Sequence, residues 1–212
     1  MHILSLRNAV YRSVTVFPSI DIEYNSVTFV TGPSGSGKST LLRLFNGTLS
    51  PSQGQVFYCG KDIEQIDAIA LRRQVLLAGQ QVYLFSGSIE ENFNMYYEYL
   101  GLDKPKPKAI EEYLAICQGP FASEALCDTM SGGERQRVYL AICLSFMPKV
   151  LMLDEPTSAL DEQTARDVIK NIRTHCKKNE ITLLVVSHDK EIVKLYADHV
   201  IELKGEEHAT NC

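Results

Sequence analysis

The sequence predicts an α/β fold built on a largely parallel β-sheet. Short runs of β-branched and aliphatic residues alternate with amphipathic stretches of helical period, which is the pattern of strands joined by crossover helices. A glycine-rich turn directly follows one of these runs and precedes a helical stretch. The size agrees, because 212 residues with 45% apolar side chains are enough to bury a substantial core.

Six short apolar runs are the candidate strands. Each is bounded by polar positions, glycine or proline, as strands in such folds usually are. They are Val27–Thr31, Gln55–Tyr58, Val75–Leu77, Val150–Leu153, Thr182–Ser187 and His199–Leu203.

Apart from the helices that follow the two glycine turns, two regions are predicted to be helical. A helix is expected where Ala165, Val168 and Ile172 recur on one face, and its last turn is basic, which suits a helix C-terminus. Between about 88 and 128 the alternation stops: this segment carries several aromatic residues, a Lys-Pro-Lys-Pro-Lys run at 104–108 and helical patches without a clear intervening strand. We interpret this segment as a helical insertion.

Charge and hydropathy argue against two classes of protein. The chain has 21 Lys plus Arg against 26 Asp plus Glu, a formal net charge of -5, so no broad positive field exists to hold nucleic acid or an anionic bilayer. Apolar stretches such as Ile181–Val186 are far shorter than the roughly 20 residues that span a bilayer, and the N-terminus at Met1 lacks the charge pattern of a signal peptide. Any membrane role is therefore expected to come through a separate partner.

The six cysteines are expected to be reduced thiols in a reducing cytoplasm. No C-x-x-C pair occurs, and several lie in apolar segments, which is typical of small buried hydrophobic residues. The even count also allows three disulfides, but a chain of this length with an ordinary core does not need them. The cysteines are Cys59, Cys117, Cys127, Cys143, Cys176 and Cys212.

A phosphate-binding loop is predicted where the sequence matches G-x-x-x-x-G-K-[ST] between a strand and a helix. Its glycines let the backbone fold around an anion, and the next helix presents unsatisfied N–H donors. Lys38 would bridge the terminal phosphates and Ser39 would ligate Mg²⁺. A structural glycine turn is the alternative, and the loop by itself indicates only that a nucleoside triphosphate binds. The residues assigned to nucleotide binding here are Gly32, Pro33, Ser34, Gly35, Ser36, Gly37, Lys38, Ser39 and Thr40.

Two acids follow the predicted strand Val150–Leu153. In a doubly wound sheet, the end of this strand meets the phosphate loop. Adjacent carboxylates leaving a strand point in opposed directions, so Asp154 can hold the Mg²⁺ shell while Glu155 faces the attacking water as orienter or general base. A solvated strand end is the alternative, and it explains one acid more easily than two.

A second glycine turn, Ser131–Arg137, opens a helix and contains no lysine. It offers backbone donors and a hydroxyl to an anion. A phosphate site without its own cation makes most sense as one half of a composite site, whose nucleotide is held mainly elsewhere. The alternative is a structural N-cap.

Together these motifs resemble an ABC-type ATPase cassette, in order and over the whole chain. The resemblance implies a P-loop NTPase with a mainly parallel sheet core, an N-terminal antiparallel β portion and an inserted helical subdomain. It also implies one ATPase domain over 1–212, with the nucleotide-binding core at 1–79 and 130–212 and the helical subdomain at 80–129. The residues that carry the resemblance are Gly32–Ser39, Gln80, Ser131–Gln136, Asp154–Pro156, Ser158–Asp161 and His188.

The resemblance further implies a dimer. Two cassettes of the family stack head to tail, so that Ser131, Gly132 and Gly133 of one copy would contact the ATP held by the phosphate loop of the other. Asp161 would lie in the loop that couples the two sites. Met130 stands where the family usually has leucine, a change of similar volume that should matter little.

The remaining site residues are assigned by the same resemblance. Gln80 would sense the metal and the γ-phosphate, and it is preferred to its neighbour Gln81 because the apolar run that follows then matches the family. His188 would be the switch histidine at the γ-phosphate. The aromatic residue that stacks on adenine is assigned to Tyr11, with a slip of two positions onto Ser13 as the alternative.

The leading hypothesis is the Mg²⁺-dependent, ATP-hydrolysing subunit of an ABC transporter whose transmembrane permease is a separate polypeptide. It would act as a homodimer with ATP at the interface, peripheral on the cytoplasmic face of the membrane, and no nucleic acid is expected to bind. The alternative is a soluble ABC ATPase acting on DNA or ribosomes, although such relatives usually show a long coiled-coil insertion or two fused cassettes. A nucleotide-binding regulator that does not hydrolyse is disfavoured, because Glu155, Gln80 and His188 are all present.

The stretch that follows Gln80 is apolar and rich in aromatic residues. In the family this neighbourhood receives the coupling helix of a transmembrane subunit, and such a patch suits a partner surface. The competing view is that these residues form the core of the small helical subdomain. We expect both, with Phe93 in the core and Tyr83–Phe85 at the interface. Two short segments, Phe146–Lys149 and Ser187–Lys190, look similar to small ATPase subunits of two-component systems proposed to export iron.

Overall fold

The computed structural model describes residues 2–12 and 15–204. Met1, the alternative adenine-site residue Ser13 and the sixth cysteine, Cys212, lie outside the described residues.

The described strands and helices follow one another in the α/β order that the sequence predicts. The strands are β1 (His2–Tyr11), β2 (Thr15–Val16), β3 (Ile20–Glu23), β4 (Val27–Thr31), β5 (Gln53–Tyr58), β6 (Lys61–Asp62), β7 (Val75–Ala78), β8 (Val150–Asp154), β9 (Thr182–Val186) and β10 (His199–Glu202). The helices are α1 (Lys38–Phe45), α2 (Ala68–Gln74), α3 (Ile89–Tyr99), α4 (Pro107–Ile116), α5 (Gly132–Ser145), α6 (Glu162–Lys178) and α7 (Lys190–Tyr196). All six predicted strands are present, with ends shifted by two residues or fewer.

A five-stranded parallel sheet forms the centre of the molecule, in the order β10-β4-β9-β8-β7. Each of its pairings is parallel, and β8 and β9 are buried at every position because helices and a second sheet cover both faces. The predicted mainly parallel core is therefore confirmed.

The predicted N-terminal antiparallel β portion is also confirmed. β1 pairs antiparallel with β2, β3 and β5, and β5 continues to β6. The ten-residue strand β1 is not among the six candidate strands, because polar and charged residues interrupt its apolar positions. The buried positions Leu4 and Leu6 alternate with more exposed ones, as in a strand with one face on the core.

The two faces of the parallel sheet carry two apolar clusters, and the strands contribute to each in alternation. Leu183 and Val185 of β9 face a cluster with α3, α4, α5 and α6, whereas Leu184 and Val186 face α1 and the antiparallel sheet. This alternation locks the strand register, since a slip by one residue would exchange the two faces.

The helical insertion consists of α3, α4 and a short 3₁₀ turn at Cys127–Thr129. α3 begins at Ser88, which forms a capping box with Glu91, and α4 begins with Pro107 at its first position. Phe93 and Ile110 of these helices belong to the same apolar cluster as the parallel sheet. The boundaries of a separate helical subdomain at 80–129 remain a prediction.

Four of the five described cysteines, Cys117, Cys127, Cys143 and Cys176, are buried and free. Burial raises the pKa of the Cys143 and Cys176 thiols to about 12, so both stay protonated at neutral pH. Cys59 departs from the expected burial: it is exposed at the turn after β5, and its thiol accepts a hydrogen bond from the Tyr24 hydroxyl at 3.1 Å.

Within the described part of the chain, no helix combines the length and the apolar character that crossing a membrane requires.

Candidate nucleotide site

The predicted site residues meet at the carboxyl edge of the parallel sheet. β4 leads into the phosphate loop, β7 is followed by Gln80, β8 ends at Asp154, and β9 is followed by His188. Because these strands are parallel and adjacent, the residues that follow them lie at one edge even though they come from distant parts of the sequence.

Two glycines of the phosphate loop are required by a positive φ and by closely packed neighbours. Gly32 has φ of 144°, and a Cβ there would overlap the Leu203 carbonyl oxygen. Gly37 has φ of 89°, and a Cβ there would lie 2.9 Å from Thr15 Cγ2 and 3.1 Å from the Phe17 ring. The loop therefore tolerates glycine but not a larger residue at either end.

Lys38 is buried, with 6% of its surface exposed, and its ammonium group bends back onto the loop. Nζ donates hydrogen bonds to the carbonyl oxygens of Gly32 at 3.0 Å and Pro33 at 2.8 Å. These two hydrogen bonds hold the ammonium group inside the curve of the loop, at the position where a phosphate group would bind.

The loop keeps further groups that suit an anion. The Ser36 hydroxyl is buried and has no hydrogen-bond partner within the described residues. Gly37 is the N-cap of α1, and no side chain caps the N–H groups of that helix start. Unpaired donors at a helix N-terminus are what a phosphate needs, so the loop fits the nucleotide that its sequence predicts. Ser39 and Thr40 are half-buried in the first turn of the same helix, and Ser34 and Gly35 are exposed on the loop.

Glu155 lies between two predicted site residues. Its carboxylate accepts a hydrogen bond from Gln80 Nε2 at 2.9 Å on Oε2, and its Oε1 lies 2.9 Å from His188 Nε2. Gln80, and not Gln81, is thus the glutamine that the structure brings to Glu155. The preceding Asp154 is buried, with 5% of its surface exposed.

The backbone at Glu155 is unusual. Its φ is 51°, a left-handed conformation that non-glycine residues rarely adopt, and its N–H donates to the Val186 carbonyl at 3.1 Å. Strained backbone of this type persists where the surroundings hold it. This turn changes the direction of the chain after Asp154. The Asp154 side chain is therefore buried, whereas the Glu155 carboxylate contacts Gln80 and His188.

Mg²⁺ would be held by oxygen ligands at this edge. The described residues contain no group of three or more His, Cys, Asp or Glu side chains that could hold a metal on their own. A site built from the Ser39 hydroxyl, the Asp154 carboxylate and the Gln80 amide oxygen, completed by phosphate oxygens and water, suits the preference of Mg²⁺ for oxygen.

The second glycine turn faces a separate cleft of about 380 Å³. Ser131 is the N-cap of α5, where its hydroxyl accepts from Glu134 N–H at 3.4 Å and Glu134 Oε2 accepts from Ser131 N–H at 2.8 Å. The backbone hydrogen bond from Ser131 lowers the pKa of Glu134. The N-cap that the sequence offered as the alternative interpretation is therefore formed, and the cleft beside it remains open to solvent. The cleft is lined by residues outside the phosphate loop: Ser131, Gly132, Gly133, Glu134, Arg137, Ala159, Leu160, Asp161 and Thr164.

Asp161 lies on the far wall of this cleft and caps α6. Its Oδ1 accepts a hydrogen bond from Thr164 N–H at 3.0 Å, and the hydrogen bonds from Thr164 lower the pKa of the carboxyl group. The predicted coupling residue is thus an anion on the rim of the cleft that holds the second glycine turn.

Tyr11 ends β1 and is partly buried against the apolar cluster on the α1 side of the sheet. The Arg12 guanidinium lies 5.3 Å from the centre of its ring. Tyr11 pairs with Thr15 in the antiparallel sheet, and Thr15 in turn lies against Gly37 of the phosphate loop. Its ring is therefore one strand away from the loop.

Two features of the site escaped the sequence reasoning. Gln136 is buried beside Glu155; the family resemblance included this residue but assigned it no role. A cleft of about 440 Å³ also adjoins Gly32 and His188, and Lys190 and Lys194 of α7 line it. Two lysines spaced four apart on one helix face were the available signal.

The aromatic stretch after Gln80 divides between core and surface. Phe93 is fully buried, as expected, while Tyr83 and Tyr99 have 62% and 72% of their surface exposed. The Phe85 ring lies between them, 4.9 Å from Tyr83 and 6.0 Å from Tyr99 between ring centres. Leu84 is buried, so the expectation of an interface over the whole of Tyr83–Phe85 is wrong at its central residue. We call Tyr83, Phe85 and Tyr99 the aromatic patch.

Comparison with known proteins gives one consistent result. The profile of the family described as ABC transporter matches residues 18–158. The methionine import ATP-binding protein MetN 2 of Acinetobacter baylyi is 34% identical over 192 residues, which cover 88% of this chain and 56% of that protein. The probable iron export ATP-binding protein FetA of Escherichia coli is 36% identical over 177 residues, which cover 82% of this chain and 77% of that protein.

A solved structure agrees with these relatives. The chain matches cbiO1 of Clostridium perfringens, part of the ABC transporter complex cbiONQ, with a TM-score of 0.83 and 29% identity, over 96% of this chain and 85% of that one. The chain spans only a little over half the length of MetN 2. The matched profile, which agrees with the fold and with the order of the motifs, shows that this chain belongs to the ABC transporter family.

Proposed function

We propose that this chain is the ATP-binding and ATP-hydrolysing subunit of an ABC transporter, which energises transport by a separate transmembrane subunit through ATP-driven dimerisation. The observation that carries the proposal is the placement of Glu155. Its carboxylate lies between Gln80 and His188 at the sheet edge where the phosphate loop begins.

ATP binding uses groups that the loop already presents. The Lys38 ammonium exchanges its contacts with the Gly32 and Pro33 carbonyl oxygens for phosphate oxygens, and the N–H groups at the start of α1 donate to the same phosphates. Mg²⁺, when bound, neutralises charge on the phosphate oxygens, and Ser39, Asp154 and Gln80 would hold it.

Hydrolysis depends on an oriented water beside the γ-phosphate. The Glu155 carboxylate accepts a hydrogen bond from that water and directs its oxygen in line with the leaving group. Gln80 Nε2 and His188 Nε2 each lie 2.9 Å from one of the two carboxylate oxygens. These contacts orient the Glu155 side chain, which lowers the cost of reaching the reactive geometry.

A second copy supplies the other half of the site. Ser131, Gly132 and Gly133 face a cleft of their own at the capped start of α5, and the turn contains no lysine. Stacked head to tail, one copy presents this turn to the γ-phosphate held by its partner, and the symmetry of the dimer generates two such sites. In this arrangement the turn meets phosphates whose main cation, Lys38, belongs to the other copy, while Arg137 lines the cleft of the turn itself.

The transmembrane subunit is expected to dock on the aromatic patch. Exposed tyrosine rings backed by a buried core are typical of the centre of a protein interface. The relatives MetN 2 and FetA are named as ATP-binding proteins for import and export, and cbiO1 is part of a larger transporter complex. By analogy, the chain would lie at the cytoplasmic face of the membrane, held there by its permease.

The decisive experiment co-expresses the tagged chain with the multispan membrane protein encoded beside its gene, solubilises the membranes in detergent and captures the tag. Co-purification, with Mg²⁺-dependent ATP hydrolysis by the captured complex, is the expected result. A Tyr83→Ala, Tyr99→Ala double variant should lose the partner and keep ATP binding. If DNA or RNA co-purified instead and stimulated hydrolysis, the chain would be a soluble ABC ATPase acting on nucleic acid or ribosomes.

A further inference from the structure

Gln136 is a buried polar side chain in the second turn of α5. Only 4% of its surface is exposed. A buried amide costs free energy unless both of its ends are hydrogen-bonded, so its partners show what it is for.

Both ends of the Gln136 amide bind the segment that links β8 to α6. Nε2 donates to the Glu155 carbonyl oxygen at 3.3 Å, and Oε1 accepts from the Ala159 N–H at 3.2 Å. A carbonyl can only accept and a backbone N–H can only donate, so these two partners fix the orientation of the amide. One side chain thus ties α5 to both ends of the turn that begins at Glu155.

The backbone of Glu155 needs such support. With φ of 51° it occupies a conformation that is unfavourable for a glutamate, and its N–H is held by Val186 of β9 at 3.1 Å. Val186 therefore holds the peptide before Glu155, and the peptide after it is held by Gln136 together with Ser158, whose N–H also donates to the Glu155 carbonyl oxygen at 3.3 Å. The direction of the Glu155 side chain depends on both.

A second contact joins the same two elements. A Cβ on Gly133 would lie 2.7 Å from the Ala159 carbonyl oxygen, so the first turn of α5 rests directly on the linking segment. Gln136 lies one turn further along α5 and reaches the same segment. The glycine turn and the Glu155 backbone are consequently connected by the approach of Gly133 to Ala159 and by the two hydrogen bonds of Gln136.

We propose that Gln136 is a positioning residue that couples the two ATP sites of the dimer. This inference rests on the proposed function: in the dimer, the turn Ser131–Gly133 contacts the ATP of the other copy, while Glu155 acts on the ATP of its own chain. Gln136 links these two groups within one chain. Contact of the glycine turn with the nucleotide of the other copy therefore determines the backbone conformation of Glu155. Each site hydrolyses ATP in response to ATP binding at the other site.

Gln136→Met tests the coupling, because methionine keeps the length and loses both hydrogen bonds. We expect kcat for ATP to fall about tenfold, the equivalent of one to two hydrogen bonds, while KM changes by less than about twofold. The Hill coefficient for ATP should fall from about two towards about one. Gln163→Met is the matched control: this glutamine is exposed on α6, and among the described residues its side chain pairs with Asp167 of the same helix, so both parameters should stay at wild-type values.

Gln136→Glu provides a second, independent readout. The new carboxyl group can replace both hydrogen bonds only when protonated, since its ionised form would face the Glu155 carbonyl oxygen. Burial raises the pKa of such a group, so the activity of this variant relative to wild type should recover as the pH is lowered from about 8 to about 6. A role in stability alone would not give this pH profile in kcat.

The outcomes separate the inference from the proposed function. A wild-type chain that binds but never hydrolyses ATP contradicts the proposed function. Wild-type hydrolysis together with unchanged kcat and Hill coefficient in Gln136→Met overturns the coupling and leaves the proposed function intact. If Gln136→Met does not fold, Gln136→Glu decides: recovery of kcat at low pH supports the coupling, and a flat relative pH profile refutes it.

Discussion

Glu155 and His188 are 33 positions apart in the sequence, yet Glu155 Oε1 and His188 Nε2 lie 2.9 Å apart. The parallel pairing of β8 with β9 explains the contact, because Asp154 is paired with Val186 and the residues that follow each strand emerge side by side. A carboxylate at a strained turn is thereby held by a side chain from the neighbouring strand end.

Replacing Glu155 with glutamine should separate ATP binding from hydrolysis. The amide keeps the size of the side chain but cannot accept the proton of the attacking water, so kcat should fall by about two orders of magnitude or more. ATP affinity should be retained, and the ATP-bound dimer should accumulate. Light scattering at saturating ATP measures the dimer, and a monomeric Glu155→Gln protein under these conditions would count against the sandwich mechanism.

Replacing Lys38 with alanine should remove ATP binding. The ammonium group is the cation of the phosphate loop, and loss of its charge-assisted hydrogen bonds to phosphate should weaken affinity about 100-fold. Titration calorimetry with a non-hydrolysable ATP analogue measures the change. Lys61→Ala, at an exposed lysine of β6, serves as the control; equal affinity of the two variants would contradict the assigned role of Lys38.

Alanine at Gly133 should destabilise the fold, whereas alanine at Gly132 should not. A Cβ on Gly133 would lie 2.7 Å from the Ala159 carbonyl oxygen, while a Cβ on Gly132 would meet no atom within 4 Å. Overpacking of this kind costs about 1–3 kcal/mol. Urea unfolding of the two variants measures the difference, and equal midpoints would show that α5 can move away from the linking segment.

The stabilising effect of Asp198 should depend on pH. Partial burial raises the pKa of this carboxyl group, but hydrogen bonds from Lys177, Val27 N–H and Arg173 outweigh burial and lower it below the usual value. The folded state thus has the lower pKa, so the stabilisation is complete above the unfolded value of about 4 and is lost as the pH falls through the folded pKa.

Asp198→Asn tests this dependence. The variant should be less stable than wild type by on the order of 1 kcal/mol at neutral pH, and the difference should shrink between about pH 5 and about pH 3. Denaturant unfolding across this range measures it, with Asp103→Asn in the exposed loop before α4 as the control. A difference that stayed constant with pH would show that charge is not the source of the stabilisation.

The sequence predicted those parts of the site whose geometry is local. The phosphate loop is a contiguous motif in which glycine spacing and the adjoining strand specify the backbone, and the structure places Lys38 inside its curve. The parallel strands were predictable because buried apolar runs have few alternatives. Strand β1 was missed because polar and charged residues interrupt its apolar positions, and its one-sided burial becomes apparent only from its pairing with β3 and β5.

The contacts that organise Glu155 could not be read from the sequence. The Gln136 bridge depends on how α5 packs against the turn after β8, and the left-handed conformation of Glu155 has no signature in residue type. Each of these features is set by tertiary packing between segments far apart in the chain.

The strand that carries the phosphate loop lies between two strands that the ribosome makes much later. β4 pairs with β9 on one side and with β10 on the other. Just before β4, the Asn25 N–H donates a hydrogen bond to Thr182 Oγ1, which lies 157 positions later in the sequence. The phosphate loop is thus translated early, but β4, which leads into it, cannot pair with its two neighbouring strands until β9 and β10 have emerged from the ribosome. ATP binding is consequently expected to require completed synthesis of this core. A nascent chain truncated before β9 is expected to have no functional nucleotide site.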